Sequence, residues 1–445
     1  MRMNQKCESN PDETTKPDSS FPRTFPREFI DYCNTHGISP ECFARIPPPE
    51  LRFRYFRIHP AVDERERKAI TEALEAEAVT WLSCHAFRVK GKGINFPRNP
   101  HFRSGKIIPM DAASMATVVA LGPRPGDLVL DLCCCPGMKS LLIADCLFHE
   151  ALKPCGHVVA VDSNLDRLFV ARSIARKHIS LCTEVLPVSF TLADGRCFDP
   201  EILLRSVDGM HPDSASLDGR IRQLNTFLQR ERKRTTLNRD HPMVLPPDTV
   251  EPVLVGGTLT SAMSSHRCLG TSRILFDRVL VDAECTHDGS IAHLAMELPD
   301  QHAPHSGLTN DYRMQRMNIG GVDSALMDLQ LDLLTNGFRH LKVGGHLVYS
   351  TCSFSALQNE NIVEKFLNRV NGERVCAVCV APFEVRMNPR CGKGGSLIDM
   401  TEEQLQAMRT IASIGGESEN YCTRFWPHVS LTSFQFIAKI KRVNE

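Results

Sequence analysis

From Pro125 onward the chain alternates short apolar runs with segments of helical periodicity, and few folds accommodate that rhythm. Runs at Leu128–Leu132, His157–Val161, Val185–Leu192, Arg278–Ala283 and His346–Ser350 are apolar on both faces, as strands of a parallel sheet covered by helices on each side must be. Between them, Met138–Phe148, Leu165–Lys177 and Ser324–Leu341 repeat apolar residues at helical spacing. A last strand is expected at Ser433–Ile440. The pattern predicts an α/β fold with a doubly wound, mostly parallel, Rossmann-like sheet, preceded by a smaller N-terminal extension or domain.

The 445 residues suffice for a large core or two domains. Residues 1–24 are polar and Pro-containing and predict a disordered tail. Residues 25–106 read as the N-terminal domain, with Ile70, Ala73, Leu74, Ala78 and Trp81 at helical spacing between Asp63 and Trp81. Residues 107–445 read as the α/β domain, interrupted at about 199–273 by a Pro-, Ser-, Gly- and Lys/Arg-containing insertion that is expected to be partly disordered.

Lysine and arginine total 52, as do aspartate and glutamate, so any polyanion partner must be inferred from local charge. From Ala86 to Lys106 there are six Lys or Arg and no acid, with Phe87, Phe96 and Phe102 interleaved, a mixture suited to phosphate contact and base stacking. Seven more basic residues against the single Glu231 lie between Arg220 and Arg239. No run approaches the length of a membrane span and the first residues contain no apolar signal core, so an intracellular protein is expected, in the nucleus or nucleolus or the cytoplasm. The 18 cysteines are scattered and mostly in apolar runs, which fits reduced, buried thiols. Cys376 and Cys379 have zinc spacing but only the unpaired Cys391 nearby, so no metal is expected.

Asp131-Leu132-Cys133-Cys134-Cys135-Pro136-Gly137-Met138-Lys139-Ser140 has the form of a strand, a tight loop and a helix, the place where doubly wound sheets cradle a cofactor. Asp162 ends the second strand, where a carboxylate can accept both ribose hydroxyls, and Asp194 ends the third, where it can accept from an adenine amino group. The Gly-x-Gly-x-x-Gly fingerprint of a pyrophosphate site is absent. S-adenosylmethionine, an adenosine with a short amino-acid tail and no phosphate, fits such a loop better than a dinucleotide.

Two cysteines stand at strand ends far apart in sequence: Cys285 in Asp282-Ala283-Glu284-Cys285-Thr286, and Cys352 in Ser350-Thr351-Cys352-Ser353. With the Asp131 to Lys139 loop, Asp111-Ala112-Ala113-Ser114, Leu341-x-x-Gly344-Gly345-x-Leu347-Val348 and Asn359-Glu360-Asn361 in order, the chain resembles the Sun/RsmB-type family of RNA cytosine-5 methyltransferases from roughly Gly105 onward. The resemblance implies a methyltransferase sheet that binds S-adenosylmethionine through Cys133, Cys134, Cys135, Pro136, Gly137, Met138, Lys139, Asp162, Asp194 and Asp282. It also implies that Cys352 attacks cytosine C6, that Cys285 helps release the product, and that Asp282 bonds the ring edge. The expected substrate is tRNA or rRNA and the expected state a monomer. Several residues depart from the family pattern: Glu284 replaces the usual Pro, and Thr286-His287-Asp288-Gly289 replaces the usual Ser-Gly. His287 reads as a turn residue, and Arg167 is left unassigned.

Two other readings accompany the enzyme. A catalytically weak RNA-binding assembly factor on a methyltransferase scaffold would explain Glu284 and the basic insertion. A methyltransferase for proteins or small molecules would explain the fold but not two thiols.

Overall fold

The computed structural model of the protein describes residues 52–82, 86–90, 94–148, 155–179, 186–207, 249–268, 273–290, 324–372, 374–385, 422–430 and 432–444, with a few short or isolated positions besides. The expected tail at 1–24, Cys391 and the cluster at Arg230–Arg234 lie outside the described residues.

The N-terminal region forms an antiparallel sheet of β1 (Phe53–Ile58), β2 (Glu77–Ala78), β3 (Ala86–Lys90) and β4 (Ile107–Pro109), ordered β2-β3-β1-β4. Helix α1 (Glu64–Ala73) begins where the Asp63 carboxylate accepts from the Glu66 amide and buries Ile70. It is shorter than expected because Leu74 caps it and Glu75 turns left-handed at φ 49°. Ala78 therefore belongs to β2, and Trp81 stacks on Phe425 at 5.8 Å instead of extending the helix. The aromatic rings of the basic segment pack on one another: Phe87 stacks on Phe56 at 5.7 Å, and Phe96 meets Phe56 and Phe102 at 6.2 and 6.4 Å. The expected base-stacking surface is thus largely internal, and Lys90, Arg98 and Arg103 are the segment's exposed cations among the described residues.

The main sheet runs through β5 (Leu128–Leu132), β6 (His157–Asp162), β7 (Val188–Leu192), β8 (Glu251–Leu254), β9 (Phe276–Asp282), β10 (Leu341–Thr351), β11 (Ala377–Val380), and the strands Arg409–Thr410, Cys422–Phe425 and Gln435–Arg442. Strands β7, β6, β5, β9 and β10 are mutually parallel, and Gln435–Arg442 pairs antiparallel with β10. Every residue of β5, β6 and β7 is buried, as expected where helices cover both faces. Strand β8, which falls inside the expected insertion, extends the sheet antiparallel to β7 between helices Pro200–Val207 and Leu259–Ser265. Both ends of that segment are therefore structured. The expected disorder falls on 208–248, most of which lies outside the described residues.

The chain proceeds from β5 outward to β6 and β7 and then returns to β9 on the other flank of β5. That reversal opens a crevice at the carboxyl ends of β5 and β9, where such sheets bind ligands. The helix after β5, Met138–Cys146, and the helix after β6, Leu165–Ile179, present their N-terminal turns to it.

Candidate active site

A cavity of about 730 Å³ occupies this crevice, and its lining includes Cys133, Cys135, Pro136, Lys139, Asp162, Asp194, Asp282, Cys285 and Cys352. Of the residues expected to hold the cofactor, Cys134, Gly137 and Met138 do not line it. Cys134 is buried behind the loop, and Met138 packs against the core. Gly137 adopts φ 93°, and a Cβ there would stand 3.1 to 3.2 Å from Ala171 and Phe190, so its part is to let the loop turn against the helix and sheet.

The loop amides are already engaged. Cys134 N–H donates to Val161 O, Cys135 N–H to the Asp162 carboxylate at 3.1 Å, and Gly137 N–H to Cys134 O. A pyrophosphate would need such donors free. An adenosine ligand without phosphate needs acceptors, and Asp162 faces the cavity with spare lone pairs although Asn164 N–H also donates to it. Arg167 donates to Cys135 O at 2.6 Å, which gives this unassigned residue the work of fastening the loop to the helix after β6. Asp194 reaches the cavity, but Arg196 engages both of its oxygens, so an adenine amino group would share that carboxylate with a guanidinium. The residues present suit S-adenosylmethionine.

Asp282 ends β9 with both oxygens held, Oδ2 by Lys139 Nζ at 2.7 Å and Oδ1 by Ser350 Oγ at 2.6 Å. Burial opposes the Lys139 charge, but the Asp282 and Asp131 carboxylates outweigh it and keep the ammonium protonated above its usual range. Asp131, beneath the loop, is fully buried; burial raises its pKa to about 7 against the opposing hydrogen bond from Ser140.

The thiols of Cys285 and Cys352 lie 3.4 Å apart, and His287 Nδ1 sits 3.0 Å from Cys352 Sγ and 3.7 Å from Cys285 Sγ. The pair titrates as a unit. The first thiol to ionise, Cys285 in this arrangement, is drawn down to about 5 because Cys352 donates to the thiolate; burial opposes this and the His287 charge assists it. Cys352 is correspondingly held well above the usual thiol range by that hydrogen bond and by burial. The neighbouring thiolate raises His287 to about 9. One proton shared across 3.4 Å lets the charge stand on either sulfur, with the imidazolium beside both.

A buried polar network holds the two cysteine loops together. Thr286 N–H donates to Gln358 Oε1, the Thr286 hydroxyl to Asp288 Oδ1 at 2.7 Å, and the Phe354 amide to Asp288 Oδ2. Gln358 Nε2 donates to both Thr286 Oγ1 and Ser353 Oγ. Gly289 N–H donates to Cys352 O at 2.9 Å, and a Cβ at Gly289 would come within 2.5 Å of that oxygen. His287, read as a turn residue from the sequence, is a turn residue whose φ of 56° folds its ring back over both sulfurs. The available signal was the Cys-x-His spacing. Asp111, quoted from the sequence only within a motif and given no place at the site, caps helix Ala112–Leu121, accepts from the Ser433 amide and lines the cavity.

A Rossmann-like sheet with its ligand crevice at the switch point and two strand-end thiols defines the class as a methyltransferase fold, and the comparisons agree. The solved structure of NSun6 from Pyrococcus horikoshii with SFG superposes with a TM-score of 0.55 at 16% identity, covering 96% of this chain and 100% of that one. The sequence profile of the 16S rRNA methyltransferase RsmB/F family matches residues 303–441. The tRNA (cytosine(49)-C(5))-methyltransferase of Pyrococcus abyssi is 24% identical over 311 residues, 69% of this chain and 68% of that protein. The 5-cytosine rRNA methyltransferase NSUN4 of Bos taurus is 28% identical over 255 residues, covering 57% of this chain but only 43% of the bovine protein. The chain is thus similar to the RsmB/F family in its C-terminal part and to cytosine-5 methyltransferases over longer stretches.

Proposed function

We propose that the chain is an S-adenosylmethionine-dependent RNA cytosine-5 methyltransferase acting on transfer or ribosomal RNA. The observation that carries this reading is the placement of two thiols 3.4 Å apart, with His287 and the Lys139-held Asp282, on one wall of an adenosine-suited cavity. Relatives named for cytosine-5 methylation of tRNA and rRNA support it.

Cytosine C5 is a weak nucleophile until a thiolate adds to C6. The shared proton moves to Cys285, and the Cys352 thiolate forms the S–C6 bond, displacing the C5=C6 π electrons onto C5. Asp282 accepts from the cytosine 4-amino group while Lys139 and Ser350 fix its oxygens. S-adenosylmethionine supplies the methyl group to C5 from its sulfonium. A base then removes the C5 proton, and those electrons re-form C5=C6 as the Cys352 sulfur leaves. Cys285, once it has passed the proton it took from Cys352 to cytosine N3 in the adduct, stands as a thiolate beside His287 and is placed to take the C5 proton, and N3 releases its proton to solvent as the product forms. The target base must leave any stack to reach the cavity.

Covalent trapping tests the reading. Cys285→Ala, mixed with cellular RNA and S-adenosylmethionine and run on denaturing gels, should accumulate an RNA adduct that Cys352→Ala cannot form. An adduct in Cys352→Ala alone would make Cys285 the nucleophile. Failure of both variants to trap RNA while binding S-adenosylmethionine would favour the assembly-factor reading.

A further inference from the structure

The sulfurs of Cys285 and Cys352 and the Nδ1 of His287 all lie within 4.8 Å of one another. Zinc bonds thiolate sulfur at about 2.3 Å and imidazole nitrogen at about 2.0–2.1 Å, so tetrahedral ligand atoms stand about 3.3–3.8 Å apart. The separations here are 3.4, 3.0 and 3.7 Å, so the three atoms could close on one ion with shifts of a few tenths of an ångström. Two soft sulfurs and an imidazole favour zinc over magnesium or calcium. We propose that Cys285, His287 and Cys352 form a three-ligand site for Zn²⁺, open on its fourth side to the cavity, that reversibly caps the thiol pair.

Several features make the site more than three polar groups in proximity. The loops carrying the cysteines are cross-tied by the Gly289 amide to Cys352 O and by the Thr286, Gln358 and Ser353 network, so two ligands are positioned before any ion arrives. His287 turns back over the sulfurs through its left-handed backbone, where Ser-Gly would supply no ligand. Two thiolates neutralise the ion, and its binding releases the protons held by the thiol pair and the imidazolium. A sulfur bonded to zinc has its electron pair engaged and does not add to C6. Zinc would therefore inhibit the reaction and compete with the target base, a consequence that rests on the proposed function; the metal site itself rests on geometry alone.

The test uses the full chain in a non-thiol reductant, titrated with Zn²⁺ against a chromophoric chelator and with Co²⁺ followed through its thiolate charge-transfer and tetrahedral absorption bands. His287→Asn, whose short side chain tolerates the left-handed backbone, is compared with Cys285→Ser, Cys352→Ser and the control Cys376→Ser. Loss of an outer-shell partner alone weakens metal sites about 10- to 100-fold. Removing any of the three ligands should weaken one equivalent of zinc by at least that much and abolish the cobalt bands, while Cys376→Ser should change neither. Wild-type affinity in all three ligand variants, or absence of the cobalt bands in the wild type, would overturn the proposal. RNA adduct formation by the zinc-free protein is scored in the same preparations, so failure of the metal site and failure of the methyltransferase reading remain distinguishable.

Discussion

His287 adopts φ 56°, and at that angle its Nδ1 reaches both sulfurs while the residue stays exposed. Its charge assists the hydrogen bond from Cys352 in keeping a thiolate near neutrality, because burial alone pushes thiols the other way. With the pair's first ionisation near 5 and His287 near 9, catalysis should hold a plateau between those limits, falling as the pair protonates below and as the imidazolium deprotonates above. His287→Asn removes the cation, so the lower limb should move toward the ordinary thiol value of about 8.5, with kcat/KM at pH 7 down about 10- to 100-fold. A pH–rate profile of the variant checks both. At this scale the sequence marked Cys285, Cys352 and Asp282 as candidates because each stands at or near a strand end beside a turn, a position visible in one dimension. His287 was hidden because its role depends on a backbone angle, and Asp111 because its carboxylate meets Ser433 from the far end of the chain.

At the scale of elements, the site consists of the loops after β5, β9 and β10, and the bonds between loops matter more than any one strand. Asp288 is fully buried and receives the Thr286 hydroxyl and the Phe354 amide, one group from each cysteine loop. Asp288→Ala leaves both donors without that acceptor, which should cost about 1–3 kcal/mol in urea unfolding. It should also slow adduct formation without changing S-adenosylmethionine affinity, since the cofactor loop is untouched. Gly137→Ala should do the reverse: a Cβ against Ala171 and Phe190 at φ 93° strains the loop after β5, so cofactor affinity should fall in equilibrium titration. The parallel strands were legible because each is a buried apolar run. Strand β8 was not, because four residues at a sheet edge leave little pattern within a long polar segment. The first helix was read too long because Ala78 and Trp81 continue its spacing beyond a left-handed Glu75 that no local residue preference announces.

At the scale of the whole molecule, the N-terminal sheet is fastened to the methyltransferase domain by a buried ion cluster. Arg57 from β1 pairs with Asp145, which also accepts from His178 Nε2 at 2.7 Å, and the His59 ring lies 4.1 Å from that of His178. Asp145→Ala leaves Arg57 buried without its counter-ion and should destabilise the protein by about 3–5 kcal/mol in denaturant unfolding. Burial, reinforced by the His178 charge, lowers His59 to about 4, and burial lowers His157, set between Thr258 and Ser189, to about 3. Both stay neutral in the folded chain while the unfolded chain takes up protons below about 6.5. Stability should therefore fall as pH drops from about 6.5 toward 4, by about 1.4 kcal/mol per pH unit for each histidine. Urea midpoints across that range check the slope, and His157→Gln should flatten it.

The central claim is that this thiol pair adds to cytosine and that the ring loses its C5 hydrogen to a methyl group. The most direct measurement is tritium release from tRNA and rRNA labelled at cytosine C5, with wild type and Cys352→Ala in the presence and absence of S-adenosylmethionine. The account predicts tritium in water together with 5-methylcytosine in the RNA, stoichiometric with each other, dependent on S-adenosylmethionine and lost in Cys352→Ala. Methylation without tritium release, or release undiminished in Cys352→Ala, would contradict it.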